Sequence, residues 1–217
     1  MAIECVESGL EIERVVLSQS YQDSLPALLD LEEKTVVVSD DVFRFLSDEK
    51  TPQGILCRVA IPARELAPPS SSCLLLDGVS DPGNLGTILR TANAAGYNEI
   101  YLVDGCADPY APKAVRASMS GIFFTKLYFG SREEILSILA DTPVLVADMG
   151  GTNVFTYTPP KRFALAIGNE ANGISDEVRA NAKEVVKIPM REEQESLNAA
   201  VSAGILMYLL KKEEFMN

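Results

Sequence analysis

The sequence predicts an α/β protein in two parts: a small α/β unit over residues 1–66, a linker at 67–72, and a larger domain over 73–217 built on a largely parallel sheet. Three observations lead there. Strand-like apolar runs alternate with helical apolar periodicity along the chain, the pattern of a sheet covered by helices on both faces. The composition shifts at ELAPPSSS, Glu65 to Ser72, where Pro and Ser replace that periodicity. A chain of 217 residues, 47% of them hydrophobic, can form one substantial core and a small second one.

In the first part, RVVLSQ and TVVVSD read as strands, YQDSLPALLDLEE and DDVFRFLSDE as helices, and QGILCRVAI as a closing strand. After the linker, strands are expected at CLLLDGV, EIYLVDG, PVLVADM, ALAIGNE and VVKIPM. Helices are expected around Leu85 to Ala95, Ala111 to Ile122, Arg132 to Leu139 and Asp176 to Ala182. From Leu197 to Leu210 nearly every position is apolar, so this last helix is buried on several sides, either within the core or against a second copy of the chain.

Chemistry concentrates in DGVSDPGNLGTILRTANAAG, Asp77 to Gly96. A buried strand, a glycine-rich turn and a helix N-terminus together make a ligand site in an open α/β sheet. Gly78 and Gly83 have the spacing of a phosphate-binding P-loop. Asn84 and Leu85, however, stand where Lys and Ser or Thr must contact phosphate and magnesium, which removes nucleotide hydrolysis. Gly78, Gly83 and Gly86 also miss the dinucleotide fingerprint. Taken alone, the segment reads equally as a turn capping a helix.

Composition narrows the mechanism. There is no His, so Ser-His-Asp and Cys-His chemistries are excluded, and proton transfer must use carboxylate, Lys, Tyr, Arg, water or the substrate. Cys5, Cys57, Cys73 and Cys106 form no CxxC pair and read as buried small hydrophobes, with no metal site expected. The N-terminus carries early acids and no apolar h-region, and the run Leu197 to Leu210 is too short to span a bilayer. A cytoplasmic protein is expected.

Two further segments complete a set: LAIGNEANGIS, Leu165 to Ser175, and VKIPMREEQESLNAAVSAGILMYLL, Val186 to Leu210. With the first, and with PYAPKAVRASMSGIFF between them, they resemble in order and spacing the three motifs of the SpoU-type (TrmH-like) RNA ribose methyltransferases of the SPOUT superfamily. The resemblance covers nearly all of Cys73 to Leu210. It implies a C-terminal trefoil knot, which spacing alone never licenses. It also implies S-adenosylmethionine as cofactor, an RNA substrate (tRNA or rRNA) and a homodimer through the C-terminal knot region. The first part resembles the ribosomal-protein-like substrate-binding domain of many such enzymes at SGLEIERVVLS and VFRFLSDEKTPQGILCRV. That resemblance begins partway in, without the family's usual opening strand and helix and their basic residues, so either the chain is shortened or the domain is N-terminally reduced.

The resemblance assigns roles residue by residue. Arg90 lies next to the ribose hydroxyl, binding the adjacent phosphate and stabilising the forming alkoxide, with proton abstraction as the alternative. Asn84 orients the nucleotide or Arg90, and Glu170 braces the loop. Ser196 and Asn198 match the family's polar pair, although Ser196 also reads as the N-cap of the last helix. Gly168, Ile188 and Leu197, with Met190 and Ala147, are implied to hold the cofactor. Two departures stand out: the family often has Gly at Glu192, and a Val-Ser pair at Ala199 and Ala200.

Charge complicates an RNA substrate, since 19 basic against 31 acidic residues give a net charge of −12. The charges are segregated. Pro109 to Arg132 has no Asp or Glu but holds Lys113, Arg116, Lys126 and Arg132. Lys113 and Arg116 are therefore candidate RNA contacts, against the plainer reading of a solvated helix face. Two other function classes remain: a non-catalytic RNA-binding or ribosome-assembly protein that kept the fold, and a methyltransferase acting on a base or a protein.

Overall fold

A computed structural model describes residues 1–22, 26–191, 193 and 196–216, with only the backbone of Ala27. The chain forms two compact units, Met1–Ala63 and Arg64–Asn217.

The first unit opens with a short helix, α1 (Ala2–Glu7), which the sequence reading did not anticipate. Its sheet is centred on β1 (Ile12–Ser18), with β2 (Thr35–Val38) parallel on one side and β3 antiparallel (Ile55–Val59) on the other. Parallel neighbours need a crossover, and here it contains a 3-10 helix, Pro26–Lys34, kinked at Leu31, in place of the expected α-helix. The Asp23, Ser24 and Leu25 part of that expected helix lies outside the described residues. Helix α2 (Asp40–Leu46) starts at Ser39, whose hydroxyl accepts the amide hydrogen of Val42, and turns Phe43 inward.

The second unit is a six-stranded sheet in which every registered pair is parallel. Its elements run β4 (Cys73–Asp77), α3 (Pro82–Ala94), β5 (Glu99–Val103), α4 (Pro112–Ser118), α5 (Gly121–Phe124), β6 (Lys126–Gly130) and α6 (Arg132–Ile138). They continue with β7 (Val144–Asn153), β8 (Ala164–Gly168), α7 (Asp176–Ala180), β9 (Ala182–Lys187) and α8 (Ala199–Leu210). The strand order is β6-β5-β4-β8-β7-β9. The chain enters at β4, builds outward through β5 and β6, crosses to β7, and then lays β8 between β4 and β7.

Burial explains the layering. Leu74 and Leu76 of β4 pack into one apolar cluster with Leu85, Ile88 and Leu89 of α3 and Leu206 and Met207 of α8. Cys73 and Leu75, pointing the other way, join Ile135 of α6 and Val178 of α7. The four apolar side chains of β4 are fully buried, and each leucine contributes about 1.5–3 kcal/mol. Gly86 lets α3 and α4 meet, since a Cβ there would sit 2.3 Å from the carbonyl oxygen of Ala114.

Several boundaries differ from the expected ones. The predicted helix Ala111 to Ile122 is split into α4 and α5 by Met119, held at φ 51°, a conformation that L-residues rarely adopt. Strand β6 was not expected, although the aromatic pair in KLYFG carries a strand signal; it lies at the sheet edge, with Leu127 and Tyr128 buried. Helix α7 ends at Ala180 because β9 begins at Ala182, ahead of the predicted VVKIPM. Among the described residues no helix is long and apolar enough to cross a membrane.

Candidate active site

Strands β4 and β8 are neighbours whose following helices lead to opposite sides of the sheet, so a crevice opens between their C-terminal ends. Ligands bind at such switch points in open α/β sheets. The β4–α3 loop and the β8–α7 loop form its walls, and both come from the segments singled out in the sequence.

The first wall is built by a helix cap. Asp81 Oδ1 accepts the Asn84 amide hydrogen at 2.8 Å and Pro82 follows directly, so α3 starts earlier than predicted and Asn84 lies in its first turn. Lys113 Nζ donates to Asp81 Oδ2 at 2.8 Å. That hydrogen bond, with the Asn84 backbone, holds the Asp81 carboxyl below the usual carboxylate range.

Glu170 ties the two walls together. Its Oε2 accepts from the Ser80 amide at 3.1 Å and hydroxyl at 3.0 Å, and its Oε1 from the Asp81 amide at 3.2 Å and Asn84 Nδ2 at 3.0 Å. Asn84 Oδ1 then accepts from Asn198 Nδ2 at 2.9 Å. Asn198 Oδ1 in turn caps α8 through the Ala200 and Val201 amides, at 2.9 and 3.2 Å. Each amide orientation is forced by its neighbours: a carboxylate only accepts, so Asn84 must present its oxygen to Asn198. Burial pushes the Glu170 pKa up, but the hydrogen bonds from Asn84 and from backbone amides outweigh it and hold the carboxyl below its ordinary range. A depressed folded-state pKa contributes stability that is fully present above the ordinary Glu value of about 4.3 and is lost as pH falls through the lower folded value. Melting temperatures of the wild type and Glu170→Gln should therefore differ at neutral pH and converge as pH falls below the ordinary Glu value of about 4.3. A constant gap across that range would remove this role.

Two supports lay outside the sequence-based candidates. Asp77, 1% exposed at the end of β4, accepts from Arg132 Nε at 2.8 Å and from the Ser175 amide at 2.7 Å, joining the starts of α6 and α7 to the crevice. Asn169 Nδ2 donates to the Gly78 carbonyl at 2.8 Å while its Oδ1 receives the Ala171 and Asn172 amides. Asn after Gly in GNEANG is an Asx-turn signal that could have marked it.

Arg90 is exposed six residues beyond Asn84, about 9 Å along α3, and makes no hydrogen bond or ion pair with the described residues. Gly168 and Ile188 sit at or just beyond the C-terminal ends of β8 and β9, whereas Ala147 lies within β7, where its register with β9 shifts; Met190 and Leu197 are half-buried further along the chain. Lys113 and Arg116 are exposed on α4, but Lys113 is engaged by Asp81 and Arg132 by Asp77. Ser196 is not the cap of the last helix: α8 begins at Ala199, and Asn198 caps it. Glu192 lies outside the described residues, whereas Ala199 and Ala200 open α8.

Gly168 makes the second wall close. A Cβ there would lie 2.3 Å from the Gly173 carbonyl carbon and 2.5 Å from the Ile174 nitrogen, so the Asn169–Gly173 turn folds directly over the strand end. Its smallness serves this turn as well as any ligand.

The model of the SpoU rRNA methylase family matches residues 71–208, the whole of this sheet and its site. This chain belongs to that family. A Bacillus subtilis (strain 168) relative, named a 23S rRNA (guanosine(2553)-2'-O)-methyltransferase, is 31% identical over 214 residues, covering 95% of this chain and 85% of its own. A Streptomyces azureus relative, named a 23S rRNA (adenosine(1067)-2'-O)-methyltransferase, is 32% identical over 171 residues, covering 76% of this chain and 64% of its own. Among solved structures, an AdoMet-bound rRNA methyltransferase from Sinorhizobium meliloti superposes with a TM-score of 0.86 at 25% identity, covering 98% of this chain and 85% of that one. A TrmH-family protein from Porphyromonas gingivalis gives 0.83 at 28% identity, covering 97% and 86%.

Proposed function

We propose that this chain transfers the methyl group of S-adenosylmethionine to a ribose 2'-hydroxyl of RNA. One observation carries the reading: Asn84, Glu170 and Asn198, from three separate segments, form a single hydrogen-bonded chain in the crevice of a SpoU-family sheet. The cofactor supplies an electrophilic sulfonium methyl. The protein's share is to hold a ribose hydroxyl in line with it and to favour loss of the hydroxyl proton; such positioning and charge stabilisation are worth several kcal/mol.

The residues within β7 and at the ends of β8 and β9 fit the cofactor. Ala147 and Ile188 supply half-buried apolar surface for a purine, and Gly168 and Leu197 present backbone groups close to it. Glu170 fixes the β4–α3 loop against the β8–α7 loop, Asn84 and Asn198 present fixed amides to the nucleotide, and Arg90 reaches the adjacent phosphate and the developing oxyanion. A guanidinium suits that task better than proton abstraction, because it is a weak base with several donors. Calorimetry with S-adenosylmethionine, followed by mass spectrometry of nucleosides from RNA incubated with the protein, tests the reading. A 2'-O-methylnucleoside is expected; a methylated base, or no product despite cofactor binding, overturns it.

The RNA path is assigned to α4. The first unit, taken as the substrate-binding part, has five basic side chains against twelve acidic ones, so it is poorly suited to phosphate. Replacing Lys113 and Arg116 with Ala should weaken RNA binding and lower the log–log salt slope by about 0.7–0.9 per lost contact. Lys183, exposed at the start of β9, is the control. Lys211 would be a poor one: it is 7% exposed, donates to the Gly96 carbonyl and lies over the Tyr97 ring. A larger effect at Lys183 than on α4 would move the path elsewhere.

The same reading includes the trefoil knot, a homodimer and a cytoplasmic location. Family membership supports the knot, together with the return of the C-terminal helix α8 onto α3 at the start of the sheet. Helix α8 supports the dimer by having two different faces: Ala203, Leu206, Met207 and Leu210 are buried in this chain, while Val201 and Tyr208 are 51% and 43% exposed. Val201→Glu with Tyr208→Glu should give folded monomers in sedimentation. Leu206→Glu should instead unfold the protein, since an unpaired charge in the core costs about 4 kcal/mol or more. A folded dimer carrying both surface changes would place the interface elsewhere.

A further inference from the structure

We propose that a cavity on the opposite side of β4 from Glu170 is a nucleobase site selective for guanine; this rests on the methyl-transfer reading above. The cavity, about 280 Å³, is lined by Val103, Asp104, Gly105, Cys106, Asp108 and Phe129, among others, at the C-terminal ends of β5 and β6. That is just under the size range of sites for drug-sized ligands, and suits a single base. Its wall is fastened to the catalytic loop. The Ala107 amide donates to the Val79 carbonyl at 2.8 Å, and Cys106 Sγ lies 3.2 Å from the Leu76 carbonyl oxygen. Val79 directly precedes Ser80, which bonds Glu170, so the cavity opens beside the loop that presents Asn84.

Two kinds of side chain make it a base site and not a phosphate site. Phe129 is 47% exposed, and its ring lies 6.3 Å from that of Tyr110, tilted by 44°, leaving an aromatic surface on which a base can stack. Asp104 and Asp108 repel phosphate and only accept hydrogen bonds. Asp108 Oδ1 is occupied by the Tyr110 amide, whereas Asp104 has no hydrogen-bond or ion-pair partner among the described residues. The charge pattern is sharp: after Asp108 no acid occurs until Glu133, while Lys113 and Arg116 follow within eight residues. Backbone and base are thereby directed to different surfaces.

Guanine is the base that matches a free carboxylate. Its ring N–H and amino group lie side by side and donate in parallel to two oxygens. In adenine and cytosine the amino group neighbours a ring acceptor, and uracil has one N–H between two carbonyls. The relatives described above are named for different nucleosides, so base choice has to come from outside the shared motifs.

The test uses the full chain titrated with guanosine, adenosine, cytidine and uridine by saturation-transfer NMR, with cofactor binding followed separately by calorimetry. Guanosine should bind most tightly. Asp104→Asn and Phe129→Leu, both at exposed positions, should each weaken it about tenfold while cofactor affinity stays unchanged. Equal binding of all four nucleosides, or guanosine affinity unaltered by either variant, overturns the site. Guanosine binding that responds to both variants in a protein that methylates no RNA would leave the site standing and remove the methyl-transfer reading.

Discussion

Arg90→Ala is expected to lower methyl transfer to RNA by about 10²–10³-fold, the cost of removing one donor aimed at a developing oxyanion, with S-adenosylmethionine affinity unchanged. The separation follows from position. Arg90 projects from the exposed side of α3 and makes no hydrogen bond or ion pair with the described residues, whereas the residues proposed to hold the cofactor lie within β7 and at the ends of β8 and β9. Removing its side chain leaves the α3 core face, Leu85, Ile88, Leu89 and Ala92, intact, so the fold should not change. Arg90→Lys should recover little activity, because a point charge lacks the planar fork that can hold a phosphate and an oxyanion together. Single-turnover rates at saturating cofactor decide the matter: a wild-type rate for Arg90→Ala removes Arg90 from the chemistry.

Gly168→Val should abolish detectable cofactor binding and lower the melting temperature at the same time. The two effects have one cause. The added Cβ would overlap the backbone of Gly173 and Ile174, so the turn that carries Asn169 and Glu170 has to move away from β8. That movement breaks the link from Glu170 to Ser80, Asp81 and Asn84 and reshapes the strand end proposed above to hold the cofactor. Gly173→Ala is the informative companion: nothing lies within 4 Å of its Cβ direction, but φ +69° strains any L-residue, so it should cost about 1 kcal/mol through the backbone with cofactor binding retained. Unchanged cofactor affinity in a folded Gly168→Val protein would dissociate this turn from the cofactor site.

The site was legible in the sequence to different depths. Asn84, Glu170 and Asn198 are identifiable only through the resemblance of their segments to the family's three motifs, and the structure links all three by hydrogen bonds. Asp77 and Arg132 were not paired in the reading, since nothing local links residues 55 positions apart. Lys113 and Arg132 were grouped by their acid-free surroundings, yet each has an aspartate partner from a distant segment. Ser196 was a reasonable helix cap by residue type, and Asn198 took the place because its side chain also meets Asn84. In a helix apolar on all sides the sequence does not tell inward from outward positions; burial assigns Leu206 and Leu210 to this chain's own core and leaves Val201 and Tyr208 outward.

By itself the sequence determined the α/β class, the order of the motifs, the absence of histidine chemistry and the segregation of charge, because composition and periodicity are properties of neighbouring residues. Only the tertiary structure decided which loops face each other. Laying β8 beside β4 aligns Asp77 with Gly168, and so brings Glu170 to Asn84, 86 residues away, and Asn198 to Asn84 across 114. Such contacts depend on strand order, which is selected by burying both faces of the sheet at once, and no local pattern in the chain encodes it.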